Sequence, residues 1–173
     1  MSGTVRIVRA APEHVPLLPA IEVAAAGLFS AADVPAEMAA SPTAIEDLLA
    51  AQAGGRLFVA LAADGAPIGF ALWGAKDGLA HVLEIDVHPD FGGRGVGRAL
   101  LAEVFAAASA AGHRAVTLTT FAHVPWNAPF YERVGFRVLA PAELTPALRA
   151  TLADEAARGL DPAKRVAMRR ELP

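Results

Sequence analysis

Leu83-Glu84-Ile85-Asp86-Val87-His88-Pro89-Asp90-Phe91-Gly92-Gly93-Arg94-Gly95-Val96-Gly97-Arg98-Ala99-Leu100-Leu101 runs from a strand into a helix through a loop with glycines at 92, 93, 95 and 97. The pattern predicts a strand over His81–Val87, broken by His88-Pro89, and a helix carrying Leu100, Leu101, Val104 and Phe105 up to Gly112. A glycine loop feeding a helix start presents free backbone N–H groups and the positive end of the helix dipole, so phosphate or pyrophosphate is its natural guest. Side chains would block that approach, and some N–H directions require positive φ. Two other phosphate loops fail here. A Walker loop needs Gly-Lys-Ser/Thr and this loop has no Lys; a dinucleotide fingerprint read from Gly95-Val96-Gly97 needs Gly or Ala where Leu100 stands. The alternative without a ligand is a glycine-rich turn.

Outward from this unit the chain alternates strand and helix signals. Val5-Arg6-Ile7-Val8-Arg9 reads as a first strand, and Pro12 opens a helical region toward Phe29. Ser41-Pro42-Thr43-Ala44-Ile45-Glu46 predicts a helix start, with Ser41 as cap and Ile45, Leu48 and Leu49 on one face, ended by Gly54-Gly55. Leu57–Ala63 and Pro67–Trp73 flank Asp64-Gly65, a hairpin signal. Downstream follow a strand over Ala115–Phe121, a short helix over Ala128–Val134 stopped by Gly135, and a strand starting at Phe136. A helix over Pro146–Ala157 and a strand over Arg165–Arg170 complete the pattern. With no repeat, linker or boundary, residues 1–173 are expected to form one domain: a mixed sheet with helices on both sides.

Composition narrows the function. Of 173 residues 54% are hydrophobic and the formal charge is only −3, which excludes disorder. The absence of cysteine excludes a disulfide framework, a thiolate nucleophile, an iron–sulfur cluster and Cys-type zinc. The histidines, at 14, 81, 88, 113 and 123, form no HxxxH or HExxH pair, and no metal is expected. The start, Met1 to Arg9, has no signal-peptide core, and Glu22 and Glu103 interrupt the greasy stretches short of the roughly 18 to 20 residues of a spanning helix. Mild acidity argues against nucleic acid. The expectation is a cytoplasmic protein with neither nucleic-acid nor membrane partners. Its single tyrosine, Tyr131, is either a compositional accident or a position no other residue would serve.

That tyrosine lies in a second motif, Val124-Pro125-Trp126-Asn127-Ala128-Pro129-Phe130-Tyr131-Glu132-Arg133-Val134-Gly135-Phe136. Together the two motifs resemble the GNAT superfamily of acyl-CoA-dependent N-acyltransferases, most specifically over residues 83 to 136. The resemblance implies an α/β (α+β) fold: one mixed, mostly antiparallel sheet of about seven strands, flanked by helices and splayed at its central strands. It implies acetyl-CoA as co-substrate. Gly95 and Gly97 match the glycines of the family loop Gln/Arg-x-x-Gly-x-Gly/Ala, and Gly93, Arg94, Val96 and Arg98 fall in the stretch whose backbone grips pyrophosphate. Gly92 stands where the family has Gln or Arg, so one side-chain contribution is missing, for which Arg94 and Arg98 offer charge. Ile85, Asp86 and Val87 lie where the family strand bonds the pantetheine arm through its backbone, so Asp86 is expected to act through its main chain.

By the same resemblance Tyr131 sits near the sulfur, where a phenol protonates or hydrogen-bonds the leaving thiolate. The family often places an Asn seven residues before the Tyr, where Val124 stands here. Asn127, four before it, is expected to cap the short helix and to touch the cofactor. The family's general base is often a carboxylate on the central strand, acting through water; Glu84 is the first choice. His81 points to the opposite face of that strand by period-two alternation. His88 reads as a strand-end residue, and His123, Trp126, Trp73 and Phe29 are candidates for an acceptor pocket. The expected reaction is direct transfer from acetyl-CoA to a primary amine, of a small molecule or a peptide, in a ternary complex; the alternative is a domain that binds acetyl-CoA as a sensor or scaffold. Glu22, Asp33 and Glu37 either favour a cationic amine or are solvated. The basic last strand, Lys164, Arg165, Arg169 and Arg170, meets an anionic group, a second subunit in a homodimer, or water.

Overall fold

The computed structural model describes residues 5–173; Met1 to Thr4 lie outside the described residues. Seven strands form one open mixed sheet: β1 (Arg6–Arg9), β2 (Leu57–Leu61), β3 (Pro67–Lys76), β4 (Leu79–Val87), β5 (Ala115–Phe121), β6 (Arg137–Val138) and β7 (Arg165–Glu171). Their order is β1-β2-β3-β4-β5-β7-β6. The flanking helices are α1 (Leu18–Ala26), α2 (Ala36–Ala39), α3 (Ile45–Ala53), α4 (Val96–Ala110), α5 (Ala128–Arg133) and α6 (Pro146–Ala157). The expected mixed sheet flanked by helices is therefore present, with β5 and α6 at the predicted bounds; α2 was not anticipated.

The chain divides into two compact units. One reaches up to Gly74 and includes Val82–Ala107; the other comprises Ala75–His81 and Ala108–Pro173. In the first, β1 pairs antiparallel with β2 and β2 with β3, with an irregularity in β2 between Ala60 and Leu61. Its core joins Val15, Leu18 and Ile21 to Leu48 and Ala51 of α3 and to Leu57, Val59, Leu61, Phe70 and Leu72 of the hairpin. Each of these leucines is worth roughly 2–5 kcal/mol against truncation to Ala. The Asp64-Gly65 turn closes that hairpin as expected, with Gly65 at φ 87° and Asp64 Oδ1 accepting from the N–H of Ala66 at 3.0 Å.

In the second unit β7 pairs antiparallel with both β5 and β6. The parallel ladder between β4 and β5 covers two pairs, Ala80↔Val116 and His81↔Thr117. A smaller core packs Leu139, Leu148 and Ala167 with Leu144 and Leu152. The connection from β3 to β4 is a two-residue turn, Asp77 at φ 50° and Gly78 at φ 76°, the left-handed pair that a tight hairpin turn requires.

One predicted cap is corrected. Ser41 does not start α3: its hydroxyl donates back to the carbonyl of Glu37 at 2.7 Å, closing the end of α2. Ala44, in extended backbone, precedes α3 with no side-chain cap. The Ser-Pro pair thus marks the end of one helix, a reading the local sequence supports equally well. Thr145, by contrast, caps α6, its hydroxyl accepting from the N–H of Leu148.

Candidate active site

In the first unit, β4 ends at Val87 and the chain turns through Pro89–Phe91 into the glycine loop. His88 holds this corner: its N–H donates to Ile68 O at 2.8 Å and its Nδ1 accepts from the N–H of Asp90 at 3.3 Å. Gly93 and Gly95 adopt φ 71° and 81°, and a Cβ built on either would meet open space. Gly92 has an ordinary φ of −61° and is exposed, and a Cβ there would stand 3.2 Å from Pro89 O. Val96, 3% exposed, anchors the start of α4, and the first helical bond runs from the N–H of Ala99 to Gly95 O at 3.0 Å. The N–H groups of Val96, Gly97 and Arg98 precede that bond and have no intrahelical acceptor, and Gly95 has no side chain with which to cap them. A row of donors at the positive end of a 15-residue helix is an anion cradle. Arg94 and Arg98 are exposed there, Arg94 stacked over the Phe91 ring at 5.4 Å.

Upstream on β4, Glu84 and Asp86 share a face, and Glu22 of α1 meets them: each offers a carboxylate oxygen, all within 4.8 Å of one another. Glu22 is held by Thr43, whose N–H donates to both carboxylate oxygens at 3.0 and 2.9 Å and whose hydroxyl donates to Oε1 at 3.2 Å. Burial raises the Glu22 pKa above the usual carboxylate range, partly offset by those Thr43 bonds. Asp86 is pushed well above its usual value by burial, then by the charges of Glu84 and Glu22, and by its hydrogen bond with Glu84. Asp86, expected to act through its main chain, thus also places its carboxyl in the cluster. No local signal pairs α1 with β4; only the fold brings Glu22 there. Gly69 of β3 lies against the same stretch, where a Cβ would stand 2.8 Å from Asp86 O.

In the second unit the tyrosine motif has a definite local cause. Gly135, at φ 94°, follows α5 and its N–H donates to Glu132 O, while the N–H of Phe136 donates to Tyr131 O, each at 3.0 Å. This is a Schellman cap, and its hydrophobic contact is the edge-on packing of Tyr131 against Phe136 at 5.8 Å. Phe130 flanks Tyr131 at 5.2 Å. The spacing from Tyr131 to Gly135-Phe136 is therefore what a helix needs to end while fixing that aromatic ring.

Asn127 departs from its expected cap role. Its side chain makes no capping hydrogen bond to α5; its Oδ1 accepts from the Thr120 hydroxyl at 2.6 Å. Its own backbone O receives the N–H of Tyr131 at 3.0 Å. His81 is buried at 3% exposure with Nδ1 2.8 Å from Thr117 Oγ1. Trp73 is a core residue, Phe29 is half-buried, and Trp126 and His123 are exposed. The arginines of β7 mostly turn to partners within the fold: Arg165 binds Glu155 through two bonds of 2.9 and 3.0 Å, Arg169 pairs with Glu171, and Arg170 donates to Val134 O.

A family model for the acetyltransferase (GNAT) domain matches residues 53–138. A GNAT-family acetyltransferase structure from Desulfovibrio desulfuricans, described as putative, is 26% identical, covering 98% of this chain and 100% of its own, with TM-score 0.68. The ribosomal-protein-S18-alanine N-acetyltransferase of Escherichia coli is 20% identical over 98% of this chain and 94% of its own, at TM-score 0.67. The N-acetylglutamate synthase of Neisseria gonorrhoeae, complexed with coenzyme A and N-acetyl-glutamate, is similar over 100% of this chain at 17% identity and TM-score 0.70, and this chain spans 36% of its length. The chain belongs to the GNAT superfamily of acetyltransferases.

Proposed function

We propose that this chain moves the acetyl group of acetyl-CoA to a primary amine by direct attack in a ternary complex. The observation that carries the reading is the open loop at the start of α4, where Gly93 and Gly95 turn left-handed and Val96, Gly97 and Arg98 present N–H groups to a pyrophosphate. Both units belong to one acetyltransferase domain in this reading. The backbone of Ile85, Asp86 and Val87 bonds the pantetheine arm; the β4–β5 ladder covers only Ala80 and His81, upstream of those residues. Glu84 takes the proton of the incoming ammonium. The freed nitrogen attacks the carbonyl carbon, the C–S bond breaks, and the Tyr131 phenol hydrogen-bonds or protonates the departing thiolate. The roughly 1.5-unit gap between a thiol near 8.5 and a phenol near 10 makes stabilisation useful without complete transfer. Asn127, through Thr120 and the Tyr131 N–H, supports the helix that carries the tyrosine.

Thiol release from acetyl-CoA over a panel of small amines, aminoglycosides, amino acids and peptide N-termini tests the proposal. Tyr131→Phe should lower kcat at least tenfold with little change in the KM for acetyl-CoA; an unchanged kcat removes Tyr131 from the mechanism. Gly92, exposed where the family carries Gln or Arg, favours a second reading as an acetyl-CoA-binding sensor. Tight acetyl-CoA binding with no thiol release from any amine would select it.

A further inference from the structure

The acidic cluster of the first unit asks for a cation. Glu22, Glu84 and Asp86 each present a carboxylate oxygen, all within 4.8 Å of one another and all half-buried. Independently of that clustering, Asp86 Oδ2 is shut off from solvent and takes no hydrogen bond among the described residues. A buried acceptor left unsatisfied is costly, and a donor arriving with the substrate would recover that cost. Charge and ligand number narrow the donor. A primary ammonium offers three N–H groups, one for each of the three carboxylates. A divalent metal would demand about six oxygen ligands, more than the one oxygen that each of these three carboxylates offers. Thr43 already donates to both oxygens of Glu22, orienting that carboxylate while leaving lone pairs for one more donor.

We propose that Glu22, Glu84 and Asp86 receive a primary alkylammonium of the acceptor, which makes the substrate class cationic amines that carry no carboxylate. This rests on the acetyltransferase reading above and narrows its acceptor. Two sources share the chemistry, small diamines and lysine side chains. Amino-acid acceptors are disfavoured, because their carboxylate would enter an acidic cluster against like charge.

The test measures binding and turnover separately on the full chain. Calorimetric titration of 1,4-diaminobutane, of a lysine peptide amide and of 4-aminobutyrate, all without acetyl-CoA, reads the site directly. Expected are binding of one or both of the first two, at least tenfold weaker binding of 4-aminobutyrate, and a loss of at least tenfold in the bound cation's affinity in Glu22→Gln. The amide oxygen of that variant still accepts from Thr43. Asp86→Asn, with the backbone kept, gives the same loss should Glu22→Gln fail to fold. Which of the two cationic probes binds identifies the source. Equal affinity in wild type and variants, equal affinity for 4-aminobutyrate, or Ca2+ or Mn2+ alone displacing the diamine would each overturn the assignment. Thiol release identifies which statement has failed: cation binding without release under any condition sinks the transferase reading and leaves the site, whereas release with anionic amines, unaltered in Glu22→Gln, sinks the site and leaves the transferase.

Discussion

His81 gives the sharpest quantitative test of the structure. Its ring is 3% exposed, and its Nδ1 lies 2.8 Å from Thr117 Oγ1. The single hydroxyl proton of Thr117 points to Ala80 O at 3.3 Å, so Thr117 accepts from His81 and fixes the Nδ1–H tautomer. Burial, and then the charge of Lys76, push the His81 pKa from 6.5 down to about 3. A depressed histidine pKa means the unfolded chain takes up a proton that the native protein refuses. The stabilisation is therefore complete above the unfolded value and is lost as pH falls from about 6.5 toward about 3. At about 1.36 kcal/mol per unit, lowering the pH from 7 to 4 should cost about 3 kcal/mol through this residue alone. Other groups titrate in the same window. Asp77, Glu143 and Glu171 have lowered pKa values and lose stability on acidification, whereas the raised Glu22 and Asp86 act in the opposite sense. All of these are shared by a His81→Asn variant, which keeps a donor for Thr117 and removes the titration. Urea unfolding of both proteins at pH 7, 6, 5 and 4 isolates the effect in the difference. The variant should be the less stable at pH 7, and its deficit should shrink by about 3 kcal/mol by pH 4. A deficit that stays constant across the series refutes the buried neutral histidine.

Three further outcomes follow from particular contacts. Gly135→Ala places a Cβ at φ 94°, 3.3 Å from Arg170 Nε, and should cost about 1–2 kcal/mol in chemical denaturation while loosening Tyr131; stability equal to wild type would argue against the Schellman cap. Arg165 and Glu155 pair with side chains only 11% and 14% exposed, so Arg165→Met should cost about 3–5 kcal/mol and the further change Glu155→Gln should restore much of it. If the double variant is no more stable than the single, the uncompensated carboxylate is not the cause. Gly69→Ala drives a Cβ to within 2.8 Å of Asp86 O, so β4 must shift. The KM for acetyl-CoA should rise several-fold, and an unaltered KM would mean that the backbone from Ile85 to Val87 does not hold the cofactor.

Much of this architecture is legible in the chain because its causes are local. Gly65 and Gly112 sit at left-handed turns that few other residues tolerate, and Gly135 ends α5 for the same reason. Ala115–Phe121 and Pro146–Ala157 emerge at their predicted bounds because β-branched residues and a Thr-Pro helix start act within a few residues. Where two local readings compete, the chain misleads. Ser41 followed by proline suits a helix start, yet it closes α2; Asn127 suits a cap, yet its side chain turns to Thr120. The basic β7 looks like a surface for partners until Glu155, Glu171 and Val134 O take up three of its charges.

The sequence by itself determined the glycine loop between β4 and α4, the tyrosine set before Gly135-Phe136, and so the acetyltransferase class, because both motifs depend on backbone angles within a single turn. Only the tertiary structure decided what Glu22 and Asp86 are. One stands on α1 and the other on β4, and burial, which neither local stretch of chain provides by itself, is the largest cause of both raised pKa values. Folding brings the Glu22 carboxylate to Glu84 and Asp86, where burial raises the pKa of Glu22 and Asp86 and like charge adds to the rise in Asp86, and both effects depend on distance in space. His81 shows the same division: its place in a strand is local, but its neutral state comes from burial beside Thr117 and Lys76.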